Sequence, residues 1–325
     1  MRTLPPRKRP RLALLTAGAA TLAVATALVL PQPAGAAETA PVGFGAGTTG
    51  GGGATAVTVT TLAAFKTAVT GDTAKVVKVS GLISLSGQVD IGSNTTVLGV
   101  GSASGFTGGG LRLKKVTNVV VRNLNISKPV APADGITVQA STKVWIDHNS
   151  FSSDRDHGKD YYDGLLDITH ASDHVTVSWN TFKDHYKGSL VGHSDSNASE
   201  DTGHLRVTYH HNWFNNVNSR IPSLRFGTGH VYDNYVVGAD TAVHSRMGAQ
   251  MLVENNVFRS TAVAVTTNRD SDVDGYVNLT GNDLGGAATE ISQVGTFTKP
   301  PYSYTAEPAS TVVASVTSGA GTGKL

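Results

Sequence analysis

The chain has 325 residues, of which 37 are glycine, none is cysteine and only 15% are charged. The lack of cysteine excludes disulfides and thiolate metal sites, so the fold must be held by its core alone. The formal net charge of +2 arises in the first 36 residues, which hold five of the 26 Lys and Arg and none of the 24 Asp and Glu. The rest of the chain has a net charge of −3, so composition does not indicate a nucleic-acid partner.

Residues 1–36 have the layout of a secretory signal peptide. A basic start over residues 2–11 precedes the apolar run Leu12–Leu30, and prolines and small residues follow over Pro31–Ala36. A membrane anchor is the alternative, because the apolar run is nearly long enough to span a bilayer. The small residues at 34–36 favour cleavage. We therefore predict a secreted, extracellular protein, free of the membrane after cleavage, with residues 37–325 forming one domain.

A glycine-rich lead-in over residues 49–56 is followed by one amphipathic helical segment, residues 60–73. Thr60 or Thr61 is suited to cap this helix, and Gly71 is suited to end it. The lead-in does not indicate a phosphate loop, because no charged phosphate partner accompanies it. The exposed end of a sheet needs a cover against pairing with other edges, and we expect the helix to supply that cover.

A phrase of alternating apolar residues followed by an asparagine then recurs along the chain. Alternation with a period of two indicates strands. The repeat length of 22 to 32 residues, with no helical pattern inside it, indicates a solenoid. A propeller would need more even spacing, and a sandwich would not repeat one phrase. The aligned asparagines are Asn123, Asn149, Asn180, Asn212, Asn234 and Asn256.

The predicted fold is all-β: a right-handed, single-stranded parallel β-helix with an N-terminal capping helix. Each coil has room for about three short strands, and each strand pairs with its equivalents above and below. The stacked asparagines are expected to form an amide ladder at one corner. Several other residues occupy the same repeat and are expected to pack rather than to bind a ligand: Trp145, Trp179, Trp213, Asp147, His148, His210 and His211.

The two longest repeats contain polar loops, residues 153–168 and 184–203, where a rigid scaffold would carry a site. Asp163 and Asp167 are too far apart on a straight strand to share an ion, but a bend at Gly164 would bring them together. Asp134 lies one coil earlier. Three carboxylates without His or Cys suit a hard cation such as Ca²⁺. The alternative is that they are ordinary surface acids on loops.

The segment SRIPSLRFG, residues 219–227, carries Arg220 and Arg225 around Pro222. No acid lies within it to neutralise the two arginines. Taken alone, the segment is equally compatible with a solvated turn and with a binding site for an anionic ligand. After Lys299, the chain has few strand-like repeats, and we expect this tail to wrap the outside of the β-helix.

Long ordered motifs give the chain a family resemblance. The stretches WIDHNSFS, DGLLDITHASDHVTVSWNTFKDHYK, LVGHSD, RVTYHHNWFNNVNSRIPSLRFGTGHVYDNY and MGAQMLVENNVF resemble those of polysaccharide lyase family 1, the pectate lyases. The resemblance extends from the helix near residue 60 to about residue 260, with similar lead-in and tail. It implies a parallel β-helix, in agreement with the repeat pattern.

The resemblance also implies roles for individual residues. The calcium-binding aspartates of the family fall on Asp134, Asp163 and Asp167, and its catalytic arginine falls on Arg220. Substrate-binding cations fall on Lys187, Arg225 and Arg246. Some members carry a further acid where this chain has Pro132, so the ion would keep more waters or take an oxygen from the substrate.

The implied reaction is a Ca²⁺-dependent β-elimination on α-1,4-linked polygalacturonate, with Arg220 as the base that removes the C5 proton. A pectin lyase acting on methyl esters and a β-helical polygalacturonase using Asp163 and Asp167 are the alternatives, followed by a non-catalytic polysaccharide-binding β-helix. No feature indicates oligomerisation, so a monomer is expected.

Overall fold

The computed structural model describes Met1 and residues 37–325, so the predicted signal segment lies, except for Met1, outside the described residues. The described part of the chain forms three helices and 27 short strands. In chain order they are β1 (Ala56–Val59), α1 (Leu62–Val69), β2 (Lys75–Val79), β3 (Leu82–Ser84), β4 (Gln88–Asp90), β5 (Thr95–Gly99), β6 (Gly105–Thr107), β7 (Gly110–Lys114), β8 (Thr117–Arg122), β9 (Asn125–Ser127), β10 (Ile136–Gln139), β11 (Thr142–Asp147), β12 (Ser150–Ser152), β13 (Leu166–Thr169), β14 (Asp173–Ser178), β15 (Thr181–Lys187), β16 (Ser189–Val191), α2 (Ala198–Asp201), β17 (Arg206–His210), β18 (Trp213–Ser219), β19 (Ser223–Arg225), β20 (Thr228–Tyr232), β21 (Tyr235–Val237), β22 (Thr241–Arg246), β23 (Gln250–Glu254), β24 (Val257–Arg259), β25 (Val263–Thr266), β26 (Tyr276–Thr280), β27 (Ala288–Glu290) and α3 (Ala309–Gly319).

The strands stack in three parallel rows that run the length of the molecule. The first row is a ten-stranded sheet in the order β1-β2-β5-β8-β11-β14-β17-β20-β23-β26. The second row is β3-β6-β9-β12-β15-β18-β21-β24. The third row is β4-β7-β10-β13-β16-β19-β22-β25-β27. The predicted parallel β-helix is thereby confirmed, with about ten turns.

The core is a column of inward-facing side chains, since alternate residues of each strand point to its interior. Equivalent positions of successive coils stack on one another. Phe182 lies between Phe151 and Phe214, with ring centroids 4.8 and 4.6 Å apart and rings nearly parallel. All three rings are buried. This repetition explains why the sequence shows one recurring phrase rather than a single hydrophobic cluster.

The asparagine ladder is present, with one correction at each end. Each amide from Asn149 to Asn256 donates to the side-chain oxygen of the next asparagine at 2.9–3.0 Å, and the last acceptor is Asn282. The prediction for Asn123 was wrong. Leu124 fills the ladder position in that coil, and its backbone N–H donates to Asn149 Oδ1. Asn123 precedes it in a left-handed conformation with φ 59°.

The capping helix α1 covers one end of the core. Phe65 and Val69 are fully buried, and the Phe65 ring lies 4.7 Å from that of Phe106. The helix is shorter than the predicted 60–73. Thr61 caps it by accepting a hydrogen bond from the Ala64 N–H at 3.3 Å, and the chain turns away after Val69 through Gly71 at φ 80°.

The lead-in and the tail both run along the outside of the β-helix. In the lead-in, a Cβ at Gly51 would lie 2.1 Å from the Lys75 carbonyl oxygen, so only glycine allows this approach. In the tail, α3 packs Val312 and Val316 against Val257. The sequence did not predict α3, because its β-branched residues do not favour a helix and packing on the β-helix decides its conformation.

The predicted packing roles of the tryptophans and paired histidines agree with the structure. The Trp179 ring is stacked between His148 and His211, and Trp145 Nε1 donates to Ser178 Oγ at 2.9 Å. Asp147 is fully buried and accepts from His148 and Ser178. Within residues 37–325 there is no helix that is both long and apolar enough to cross a membrane.

Candidate active site

Two of the three predicted metal-binding aspartates meet at Gly164, the predicted bend. The Gly164 N–H donates to Asp134 Oδ1 at 2.9 Å. A Cβ at Gly164 would lie 2.4 Å from Asp167 Oδ1 and 2.9 Å from Asp134 Oδ1. Only a glycine therefore allows both carboxylates, which come from the neighbouring third-row coils of β10 and β13, to lie against this turn.

The charges of these aspartates are poorly compensated by the protein. Burial, reinforced by the charges of Asp167 and Asp163, raises the pKa of Asp134 to about 8. Burial also raises the pKa of Asp167 to about 6, although the positive charges of Arg220 and Lys187 oppose that rise. A group of buried carboxylates that resists ionisation in this way would be stabilised by a cation.

The third aspartate, Asp163, forms an ion pair with Lys187, and its charge also acts on the other two aspartates. Lys187 Nζ lies 3.2 Å from Asp163 Oδ1 and 3.2 Å from Asp160 Oδ1, and its side chain is only 14% exposed. In the described part of the chain, no three His, Cys, Asp or Glu side chains are arranged closely enough to hold a metal ion by themselves. A hard cation here would need further oxygens, from water or from a ligand, to reach the six to eight that Ca²⁺ takes.

Arg220 follows the end of β18 in a left-handed backbone conformation with φ 60°. Its carbonyl accepts from Ser189 N at 2.6 Å, and Ile221 N donates to Ala242 O at 3.0 Å, so both neighbouring coils fix its backbone. The side chain is half-buried. Among residues 37–325 its guanidinium has no hydrogen-bond or ion-pair partner, while its charge acts on Asp167, His185 and Arg246.

Arg225 and Arg246 lie side by side on β19 and β22, where they are paired in register. Arg225 Nε donates to Asp195 Oδ1, and Arg225 Nη1 donates to Gly192 O at 2.8 Å. Arg246 Nη2 lies 3.5 Å from the same Asp195 oxygen. The sequence-based view of two uncompensated arginines therefore holds for Arg220 and is wrong for Arg225. Its counter-charge comes from a loop 30 residues away in the chain.

Sequence reasoning also missed residues that hold the site in shape. The buried His185 donates from Nε2 to the Asp163 carbonyl at 2.6 Å, and its Nδ1 accepts from Ser153 Oγ. Burial lowers the pKa of His185 to about 4, so the ring is neutral and its proton is fixed on Nε2. Ser223 Oγ and His244 Nε2 are buried without a hydrogen-bond partner in the described residues, on strands β19 and β22. Only the DHYK and LVGHSD motifs pointed towards His185 and Asp195.

The comparisons with known proteins agree with this geometry. A family described as pectate lyase matches residues 12–325. The chain is 50% identical over 261 residues to probable pectate lyase A from Aspergillus fumigatus, covering 80% of each protein. It is 52% identical over 262 residues to pectate lyase B from Colletotrichum gloeosporioides, covering 80% of this chain and 78% of that one.

Solved structures show the same likeness. A pectate lyase from Bacillus sp. N165, in complex with trigalacturonate, superposes with a TM-score of 0.80 at 34% identity and covers 87% of this chain and 99% of its own. Pectate lyase II from Xanthomonas campestris gives a TM-score of 0.74 at 28% identity, with 87% and 98% coverage.

Proposed function

This chain belongs to the pectate lyase family and is a polysaccharide lyase, and from that premise we propose that it is secreted and cleaves α-1,4-linked polygalacturonate by Ca²⁺-dependent β-elimination. The observation that carries the proposal is the convergence of opposite charges. The neighbouring β10 and β13 coils bring buried carboxylates to Gly164, and Lys187 and Arg220 act on the same group. A substrate whose every sugar carries a carboxylate matches such a site.

The residues present fit a calcium ion in their chemistry. Asp134, Asp163 and Asp167 offer only carboxylate oxygens, which hard cations prefer, and the raised pKa values of Asp134 and Asp167 support the proposal of a cation here. These three carboxylates would hold Ca²⁺, which would supply positive charge to stabilise the negative charge that develops on a substrate uronate. The family is generally calcium-dependent.

Three cations of the chain are assigned to substrate binding. Lys187 faces the carboxylate group at Asp163, where a uronate brought in with the ion would lie within its reach. Arg225 and Arg246 stand beside each other on successive coils, and a guanidinium can hold a carboxylate through two parallel hydrogen bonds. These contacts orient the sugar chain across the coils.

Arg220 is assigned the role of the base. It takes the proton from C5 of a galacturonate unit, the C4–oxygen bond breaks, and a C4–C5 double bond forms at the new end. The arginine side chain is ordinarily a protonated guanidinium, and only its neutral guanidine form can act as a base. The proposal therefore requires that the nearby positive charges of Lys187 and Arg225, together with a bound cation, disfavour protonation of Arg220. Arg220 lies close enough to Arg246 for its charge to help lower the pKa of Arg246, after burial and Arg225, to about 10.

The two alternative enzymes differ in what they require. A β-helical polygalacturonase would use Asp163 and Asp167 as acid and base and would hydrolyse the bond. A pectin lyase would act on methyl esters, which have no charge for Lys187 and the arginines to bind. The cationic surroundings of the buried carboxylates favour the pectate lyase.

The test is cleavage of polygalacturonate followed by ultraviolet absorbance. We expect a rise in absorbance from the conjugated double bond, its loss on adding a chelator, its return with Ca²⁺, and little activity on highly methylated pectin. New reducing ends without absorbance would indicate a hydrolase and contradict the proposal. N-terminal sequencing of the exported protein would test secretion, with Ala37 as the expected first residue.

A further inference from the structure

Asp195 holds the two paired arginines from one side. Its Oδ1 accepts from Arg225 Nε and lies 3.5 Å from Arg246 Nη2. The same loop supplies Gly192 O to Arg225 Nη1 at 2.8 Å. A second loop holds Arg246, whose Nε donates to Ser271 Oγ at 2.6 Å and whose Nη2 donates to Asp270 O. Both guanidiniums are therefore clamped, and the two arginine residues are only 9% and 8% exposed.

The clamps leave one terminal nitrogen of each arginine unused. Within residues 37–325, Arg225 Nη2 and Arg246 Nη1 have no protein partner. Neither atom is among the buried polar atoms that lack a partner, so both can be reached from solvent. Each guanidinium thus has two nitrogens held by the loops and a third that is available to a ligand.

We propose that Asp195 is a positioning residue that holds Arg225 and Arg246 so that their unused nitrogens together bind one uronate carboxylate. The inference rests on the proposed function, because it assigns the receptor to a galacturonate unit of the same substrate chain. Two like charges one coil apart would repel each other without a shared counter-ion, and buried charges are retained only when they are paired. Asp195 supplies that counter-ion without using the donors that face the substrate.

The experiment compares Asp195→Ala and Asp195→Asn in the full chain by steady-state cleavage of polygalacturonate. Asp195→Ala removes the acceptor for Arg225 Nε, and we expect KM to rise at least about tenfold while kcat stays within about threefold. Asp195→Asn keeps an oxygen acceptor for Arg225 Nε but removes the negative charge, and we expect its KM to lie between those of the wild type and Asp195→Ala. A general structural defect would instead lower kcat in both variants and lower the melting temperature.

A double mutant tests whether Asp195 acts through Arg225. If it does, the KM increase of Asp195→Ala combined with Arg225→Ala is smaller than the product of the two single increases, because coupled residues are not additive. Asp283→Asn breaks a comparable Arg–Asp pair, Arg259–Asp283, away from the site and serves as the matched control. We expect its KM to be unchanged.

The outcomes separate the two proposals. A wild-type protein that produces no absorbing product would contradict the proposed function, whatever the Asp195 variants do. An active wild type with an Asp195→Ala KM within twofold of its own would overturn the positioning role alone. Should Asp195→Ala fail to fold, Ser271→Ala removes the acceptor for Arg246 Nε from the other clamp, and an unchanged KM in that variant overturns the two-arginine receptor.

Discussion

At the scale of single residues, the arginines of the site differ in how tightly they are held. Arg225 and Arg246 are each fixed by at least two side-chain hydrogen bonds, whereas the Arg220 guanidinium makes none within residues 37–325. The backbone of Arg220 is nevertheless fixed by the coils on both sides. A side chain that must exchange a proton with a substrate needs this combination of a fixed backbone and a guanidinium that makes no other hydrogen bonds.

The Arg220→Lys variant tests this assignment. We expect kcat to fall at least about a hundredfold, because general base catalysis typically contributes 10²–10⁴ and a lysine ammonium cannot reproduce the position of the guanidine. Calcium binding, measured by titration calorimetry, should persist. A variant that keeps more than about a tenth of the wild-type kcat would remove Arg220 as the base.

The sequence indicated most of this site but not its internal ion pairs. Asp134, Asp163, Asp167 and Lys187 lie in recognisable motifs, and the structure brings their charges into one group. The pairing of Asp195 with Arg225 joins residues 30 positions apart through the path of a loop. Periodicity describes strands and not loop paths, so this contact could not be predicted from spacing.

At the scale of elements, the ladder shows what a repeat does and does not predict. Its internal members from Asn149 to Asn256 followed from the recurring phrase. Asn123 was placed wrongly because asparagine also suits the left-handed residue just before the ladder position, and two roles for one residue type cannot be separated by composition. Asn282 was missed although β26 has the alternating apolar residues Val277 and Leu279, because no aromatic residue follows the asparagine in this coil.

The ladder also predicts a graded effect of mutation. Asn212→Ala removes the donor to Val177 O and Asn234 Oδ1, and it leaves Asn180 N without its acceptor. We expect a loss of about 2–4 kcal/mol in the free energy of unfolding, measured with urea, because buried groups are left unpaired. Asn282→Ala at the half-exposed end is the control, with an expected loss below about 1 kcal/mol. Equal losses of unfolding free energy in Asn212→Ala and Asn282→Ala would contradict a larger contribution from the buried members of the ladder.

At the scale of the whole molecule, two buried acids tie the terminal segments to the β-helix. Burial, together with the nearby charge of Asp147, raises the pKa of Glu38 to about 8. Burial, together with the charges of Glu307 and Glu254, raises the pKa of Asp233 to about 8. Asp233 also accepts from the Glu307 N–H at 2.8 Å and so anchors the tail.

These acids make stability depend on pH. Their folded-state pKa values exceed the ordinary value, so the folded protein keeps protons that the unfolded chain releases, and their contribution to stability falls as pH rises towards about 8. Buried histidines such as His185 act in the opposite sense below their ordinary pKa of about 6.5, so we expect the melting temperature to decline between about pH 7 and 8 and the decline to be smaller in Asp233→Asn. In Asp283→Asn the decline should match that of the wild type. Arg259 lowers the pKa of Asp283, so this carboxyl titrates below the pH window in the folded and in the unfolded state. A wild-type melting temperature that rises with pH over this window would contradict this account.

The path of the segment before β1, residues 37–55, has a consequence for the order of assembly. Phe44 N donates to Thr208 Oγ1 and Gly45 N donates to Thr176 Oγ1, both at 3.0 Å, while Gly51 N donates to Thr96 Oγ1 at 2.9 Å. The first part of this segment, at residues 44 and 45, thus lies on coils that a ribosome makes more than a hundred residues later. Early coils can stack as they emerge, but the front of the chain has nothing to dock on until residue 208 has been synthesised and wound into place. This segment is synthesised before all the strands, yet it is therefore among the last parts of the chain to reach its folded position.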